Sequence, residues 1–257
     1  MNQKAATTHG GGWRTWVEAA RPKTLWASVA PVLMGTALAA GDGKLHWLSA
    51  VVAFWCAVLI QIGTNFANDY FDYVHGADTT DRIGPTRATQ AGLISPAAMK
   101  RAYILVFALV FLCGLYLVWR GGWPILLIGV LSILFGILYT GGPFPLGYLG
   151  LGDVFVLIFF GPVAVGGTYY VQAQTINSTV LIAGLAPGLL STALLTVNNL
   201  RDVETDRRAG KRTLAVRFGQ GFARMEYLLC VVLACAIPLW LYWQHPERPA
   251  ILLALLA

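Results

Sequence analysis

Long apolar runs separated by short polar breaks organise this chain, and the runs have the length of whole helices. They occupy residues 25–40, 47–67, 102–119, 123–140, 153–171, 178–198 and 226–243. Crossing a ~30 Å hydrocarbon core takes about 20 apolar residues. Each run is therefore read as a membrane span, the first extending back through Thr24. An eighth run opens at Pro249 and has nine residues to Ala257, about 13.5 Å of helix at 1.5 Å per residue. That is less than half a bilayer, so a partial eighth span and a truncated C-terminus are expected. The runs do not alternate with a period of two. Because lipid offers no partner to backbone N–H and C=O groups, only helices or closed barrels span it, and unbroken runs select helices. The expectation is one all-α domain over residues 1–257, a polytopic bundle of seven full spans and a partial eighth.

Composition sharpens this picture. Of 257 residues, 57% are apolar and 12% charged, against about a quarter charged in soluble domains. A soluble enzyme and a disordered chain are excluded. The net charge of +6 raises the question of nucleic acid, so the basic residues must be placed. With the N-terminus in the cytoplasm, one side holds Lys4, Arg14, Arg21, Lys23, Arg82, Arg87, Lys100, Arg101, Arg201, Arg207, Arg208, Lys211, Arg212, Arg217 and Arg224. The other side holds only Lys44, Arg120 and Arg248. Fifteen against three is a positive-inside pattern, so topology accounts for the charge and no nucleic acid is needed. Trp13, Trp16, Trp26, Trp47, Trp119, Trp123, Trp240 and Trp243 sit at run ends, as interfacial belts do. Cys56, Cys113, Cys230 and Cys235 lie in apolar runs without a CxxC pair, which reads as buried thiols rather than zinc or disulfides. Residues 1–12 lack the apolar stretch of a signal peptide, and none is expected.

Two polar clusters interrupt the runs on the cytoplasmic side. In the first, Asn65, Asp69 and Asp72 are spaced i, i+4, i+7 and share a helix face, with Asn68 four residues before Asp72. In the second, Asn198, Asp202 and Asp206 are spaced i, i+4, i+8. The shared Asn-x3-Asp element recurs at an offset of 130 residues, a hint of internal duplication. Both faces begin inside an apolar run, where ionisable groups are costly and mark function. Asp78, Asp81 and Glu204 are instead read as solvated loop charges. Mg²⁺ takes one or two protein carboxylates and completes its shell with water and substrate phosphate. Two such faces would hold Mg²⁺ through Asn68, Asp69, Asp72, Asn198, Asp202 and Asp206. Arg21, Lys23, Arg87, Arg201, Lys211 and Arg212 would neutralise a diphosphate. Apolar helices beneath would house a lipid tail, so a lipid diphosphate fits all three features.

At these residues the chain resembles the UbiA-type membrane prenyltransferases, whose acidic motifs match Asn68-Asp69-x-x-Asp72 and Asp202-x3-Asp206. Stretches 20–25, 65–78, 139–153 and 198–219 are similar to the branch that prenylates 1,4-dihydroxy-2-naphthoate in menaquinone synthesis. The family's third acidic position in the first motif falls on Gly76, with Asp78 two residues later. The resemblance implies nine helices and Mg²⁺-dependent transfer of a polyprenyl group from its diphosphate to the naphthoate, with loss of CO₂. It implies Asp72, Asp202, Asp206 and Tyr139 as catalytic residues and Asn65, Tyr139 and Tyr148 around the acceptor or an allylic cation. It places the protein in a bacterial cytoplasmic membrane.

The remaining polar residues are read more plainly. Asp153 is a helix-start charge favourable to the dipole, and His75 is a hydrogen-bonded neighbour of the first cluster. Gly141-Gly142-Pro143 is a turn. Two other functions stay open: the same chemistry on another aromatic acceptor, and a secondary transporter for a cation or metal, for which membrane acids and a duplication also speak.

Overall fold

The computed structural model describes residues 12–77 and 84–256, and among these it is entirely helical. Short α1 (Trp13–Ala20) meets α2 (Pro22–Gly41) at Arg21, which adopts a left-handed conformation with φ 53°. Pro22 opens α2 at a position where its missing N–H has no intrahelical partner to lose. Next come α3 (Trp47–Val74) and α4 (Pro96–Gly121). Ser95 caps α4, its Oγ accepting from the Ala98 amide at 3.3 Å. A Gly122 turn with φ 69° leads into α5 (Trp123–Leu138).

The following apolar run folds as α6 (Gly152–Ile158), a wide turn over Phe159–Val163, and α7 (Ala164–Ala173). Pro162 supplies no N–H there, and Gly161 leaves helical geometry at φ −111°, ψ −114°. The kink lies where the backbones of two helices nearly touch: a Cβ on Gly161 would stand 2.8 Å from the Gly184 carbonyl oxygen. The chain closes with α8 (Ser178–Arg201), α9 (Val203–Arg208), α10 (Leu214–Gln244) and a 3-10 segment, Pro249–Leu256. Gly219, at φ 85°, bends α10 near its start.

Six segments are long and apolar enough to cross a membrane among the described residues: α2, α3, α4, Gly152–Ala173, α8 and α10. The run at 123–140 differs from expectation. Its helix has 16 residues, about 24 Å, and stops at Leu138 because the Gly141-Gly142-Pro143 turn follows. Gly142 has φ 78° there, and a Cβ on Gly141 would be 2.8 Å from the Phe71 ring. The run from Pro249 forms a 3-10 segment against α10 rather than an α-helix. Lys4, Asp78, Asp81 and Arg82 lie outside the described residues.

Packing pairs α3 with α4 and α8 with α10, while α2 lies against α7 and α3. Each helix that carries a polar cluster thus packs mainly on the spanning helix that follows it. Phe66, Ala67, Met99, Tyr103 and Phe107 form one buried cluster between α3 and α4. Large apolar side chains such as Leu105, Leu112 and Leu229 face outward. That arrangement suits a lipid solvent and makes the chain a multi-pass membrane protein.

Candidate functional site

The site grows from the end of α3. This helix runs seven residues past its apolar run, to Val74, so the first polar cluster is helical throughout and its spacing becomes one face. Asn65, 3% exposed, donates from Nδ2 to the Ala20 carbonyl at 2.9 Å and to Thr24 Oγ1 at 3.1 Å. It pins the α1–α2 corner to α3. Asn68 Oδ1 accepts from Thr140 Oγ1 at 2.8 Å. Asp69 accepts from the amides of Ala88 and Thr89 at 3.0 and 2.9 Å, so its carboxylate holds the loop before α4.

Asp72 is the hub. It is 1% exposed and accepts from Arg87 Nη2 at 2.6 Å, Tyr148 Oη at 2.8 Å and Lys211 Nζ at 3.1 Å. These donors come from three separate loops. A buried carboxylate is costly unless it is paired and hydrogen-bonded, and two cations and a phenol meet that demand. Lys211 also lies 4.8 Å from the centre of the Tyr148 ring, a cation–π distance.

The second cluster is built differently. α8 ends at Arg201, and Asp202 occupies the break before α9 at φ −95°, ψ 10°. Asp202 accepts two bonds from the neighbouring Arg201 guanidinium, at 2.8 and 2.6 Å. Asn198 and Asp206 are half-buried. Gly210, at φ 73°, turns the chain back after α9. Lys211 is thereby tied to the Asp206 carbonyl at 2.9 Å and sent to Asp72. The Arg212 amide donates to the Tyr148 carbonyl at 2.8 Å, which joins the 139–151 loop to the 209–213 loop. The two clusters, 130 residues apart in sequence, therefore meet through Lys211.

Below this polar cap opens a cavity of about 400 Å³. Arg21, Thr24, Gln61, Asn65, Asn68 and Tyr139 line its polar end. Its walls are apolar and aromatic: Phe135 lies edge-on to Phe155 and Phe159, with ring centres 4.7 and 5.4 Å apart. The motif carboxylates stand beyond the polar end and do not line the cavity. Tyr139 is the bridge between cavity and cap. Its carbonyl accepts from the Gly147 amide at 2.9 Å, in the loop that carries Tyr148 to Asp72.

Not every expected cation points inward. Arg87 is buried on Asp72 and Arg21 lines the cavity. Lys23 is exposed on the first turn of α2 and is not part of the lining, and the Arg212 side chain is exposed. Arg201 is spent on Asp202, its side chain 34% exposed. Several participants escaped the sequence reading. The Phe155/Phe159 pair had a signal in its i, i+4 spacing. Thr140, Gln61 and Thr24 had none, because single polar residues at span ends are common. Asp153, read as a helix-start charge, is 5% exposed.

For a metal, the cap offers hard oxygen donors: Asn68, Asp72, Asn198, Asp202 and Asp206. Among the described residues no three acidic, His or Cys side chains gather at one point. That donor chemistry fits Mg²⁺, which takes few protein ligands and fills its shell from water and phosphate.

Comparison with known proteins agrees with this architecture. Residues 28–257 match the UbiA prenyltransferase family. The 1,4-dihydroxy-2-naphthoate octaprenyltransferase of Escherichia coli K12 is 44% identical over 235 residues, 89% of this chain and 76% of that protein. The enzyme of the same name from Mycobacterium tuberculosis is 44% identical over 212 residues, 82% of this chain and 72% of its own. In fold, a UbiA homolog from Archaeoglobus fulgidus bound to GPP and Mg²⁺ superposes with a TM-score of 0.70. It shares 14% identity, and the match covers 94% of this chain and 85% of that one.

Proposed function

The chain belongs to the UbiA prenyltransferase family, and from that premise we propose that it carries a polyprenyl group from its diphosphate to 1,4-dihydroxy-2-naphthoate. The carboxylate of the acceptor leaves as CO₂, and the product is demethylmenaquinol, a menaquinone precursor. The reading places the protein in a bacterial cytoplasmic membrane, N-terminus inside. Family membership, together with relatives named for this reaction, displaces the transporter reading.

One observation carries the proposal: a cap of carboxylates and cations closes the polar end of an apolar cavity. Diphosphate needs the first and a prenyl chain needs the second. In the cap, Arg87 and Lys211 hold Asp72 in place and supply positive charge beside the departing diphosphate. Asn68, Asp72, Asn198, Asp202 and Asp206 would hold Mg²⁺, which when bound neutralises charge on the leaving group. Tyr139 lines the cavity beneath the cap and offers its ring to positive charge developing on the reacting carbon, while the Tyr148 ring faces Lys211 and its hydroxyl holds Asp72. The aromatic wall of Phe135, Phe155 and Phe159 keeps water from an allylic cation that it would otherwise quench. Arg21 provides a cation at the cavity mouth for the acceptor's oxygens, and Asn65, its amide N–H groups bonded to Ala20 and Thr24, holds that corner in place.

The test is a product assay. Purified protein in lipid receives the naphthoate and a labelled polyprenyl diphosphate, with Mg²⁺ or with EDTA. Mg²⁺-dependent prenylated product with release of CO₂ is expected. Product only with 4-hydroxybenzoate, or none with any aromatic acceptor, would overturn the assignment.

A further inference from the structure

Asp69 stands on α3 between Asn68, which lines the cavity, and Asp72, the hub of the cap. It is 2% exposed and is not part of the cavity lining. Both of its carboxylate oxygens are engaged by backbone: Oδ2 accepts from the Ala88 amide at 3.0 Å and Oδ1 from the Thr89 amide at 2.9 Å. These consecutive amides open a turn. The Ala91 amide bonds back to the Arg87 carbonyl at 2.9 Å, and the Gly92 amide to the Thr89 carbonyl at 3.1 Å. Gly92, at φ 71°, then redirects the chain, and the Ala88 carbonyl accepts from the amides of Leu93 and Ile94 at 2.9 and 3.2 Å. The first amides of such a turn find no partner within it, and adjacent N–H groups aimed the same way seat an anion. Asp69 fills that seat from a different helix. Ala88 and Ile94, 4% and 3% exposed, pack in the same buried cluster as Met99 and Tyr103, so the turn is wedged as well as bonded. Arg87 is the residue just before the first of these amides. Its guanidinium, 6% exposed, donates to Asp72 at 2.6 Å. The loop therefore grips α3 at two carboxylates three residues apart, by backbone at one and by side chain at the other.

We propose that Asp69 is a positioning residue that works through Arg87, and not a ligand to metal: its carboxylate fixes the turn at residues 87–92, and the turn aims the guanidinium at Asp72 and at the donor's diphosphate. The inference rests on the prenyl-transfer reading. An arginine on an untethered loop has backbone and rotamer freedom to lose when it meets its ligand. Tethering the loop beforehand removes much of that cost. The carboxylate is also committed elsewhere. Turning it to Mg²⁺ would release two buried N–H groups, and a buried donor is costly to leave unmade. The acidic spacing on α3 thus divides the work. Asp72 meets the cations of the cap, and Asp69 holds in place the loop that delivers one of them.

The experiment compares Asp69→Asn, Asp69→Glu, Arg87→Ala and the Asn/Ala double variant with the unaltered protein in lipid. It reads hydrogen exchange at residues 84–94, the KM for a polyprenyl diphosphate, and the Mg²⁺ concentration that gives half the maximal rate. Asparagine turns an N–H toward one of the two amides and breaks that bond. We expect Asp69→Asn to speed exchange at Ala88 and Thr89 and to raise the donor KM about tenfold, the size of a lost bond to a charged group. The Mg²⁺ requirement should stay within about twofold, since no metal donor is removed. Asp69→Glu keeps the charge and both oxygens on a longer stem. It should move exchange and KM the same way by less, and it carries the test if the asparagine variant does not fold. Because Asp69 and Arg87 act in series, the double variant should have no higher KM than Arg87→Ala alone. Thermal protection by geranyl diphosphate with Mg²⁺ establishes that each variant is folded and binds donor. A raised Mg²⁺ requirement with loop exchange unchanged would make Asp69 a metal ligand and overturn the proposal. So would an unchanged donor KM in a variant whose loop has loosened, or KM increases that multiply in the double variant. If the unaltered protein neither makes prenylated naphthoate nor is protected by geranyl diphosphate, the functional reading itself falls and this inference with it.

Discussion

The two Asn-x3-Asp segments have the same spacing and opposite settings. Asp72 sits on an unbroken helix, is 1% exposed, and is held by donors from three distant loops. Asp202 sits where a helix breaks, and the side chain that binds it is Arg201, the residue next in sequence. The first segment is a fixed anchor whose partners are long-range. The second is self-contained, with half-buried Asn198 and Asp206 around it. Sequence repetition therefore does not give repeated roles: the fold makes one acid a structural and chemical hub and keeps the other available.

Breaking the anchor should have the largest effect. Asp72→Ala leaves Arg87 and Lys211 without their buried carboxylate, a change that costs about 3–5 kcal/mol in comparable pairs. Turnover should fall at least about 10³-fold, with a lower Tm in the same detergent. Asp202→Ala should separate function from stability. Its Arg201 partner is 34% exposed, so stability should move by less than about 1 kcal/mol, while product formation falls about 10²-fold. Equal loss of Tm in both variants would erase the contrast. A milder cut is Tyr148→Phe, which removes one bond to Asp72 and keeps the ring beside Lys211. About 1 kcal/mol is at stake, or roughly a fivefold rise in donor KM. Lys23→Ala, on an exposed first turn outside the cavity, should leave kcat and KM within about twofold.

The smallest effect lies at the opposite end of the bundle. Asp42, after α2, accepts from the Tyr169 hydroxyl at 2.8 Å and from Arg248 at 3.2 Å. The Tyr169 bond, then Arg248, holds its carboxyl below the usual value despite some burial. A depressed carboxyl adds stability above its unfolded value of about 3.9, and that stability is lost as pH falls through the folded value. Asp42→Asn should cost under about 1 kcal/mol at pH 7 and flatten the acid limb of a Tm-versus-pH curve.

Much of this was legible in the chain. Apolar runs located the spans, and two spaced carboxylate faces located the cap. What escaped depends on contacts between distant segments. Nothing in the sequence announces that Asp69 is bound by the amides of Ala88 and Thr89, since backbone donors carry no residue signature. The start of α10 was also hidden. The helix begins at Leu214, twelve residues before its apolar run, because Arg217 and Arg224 lower the hydropathy of a first stretch that is nonetheless helical. The π-type kink at Gly161 follows from Pro162 combined with the close approach of α8, and only the first of these is written in the sequence. Asp153 looked like an ordinary helix-start charge because burial is decided by helices that arrive later in the chain.

Hydrogen exchange at the two segments, with and without geranyl diphosphate and Mg²⁺, tests the central contrast most directly. The amides of Ala88 and Thr89, bound to Asp69, and of Ala91, bound to the Arg87 carbonyl, should be protected from the start and change little. Amides at 199–213 should exchange faster alone and gain protection when the diphosphate and metal are added. Equal protection of both segments before ligand, or a gain confined to 84–91, would contradict the division into a fixed anchor and an available partner.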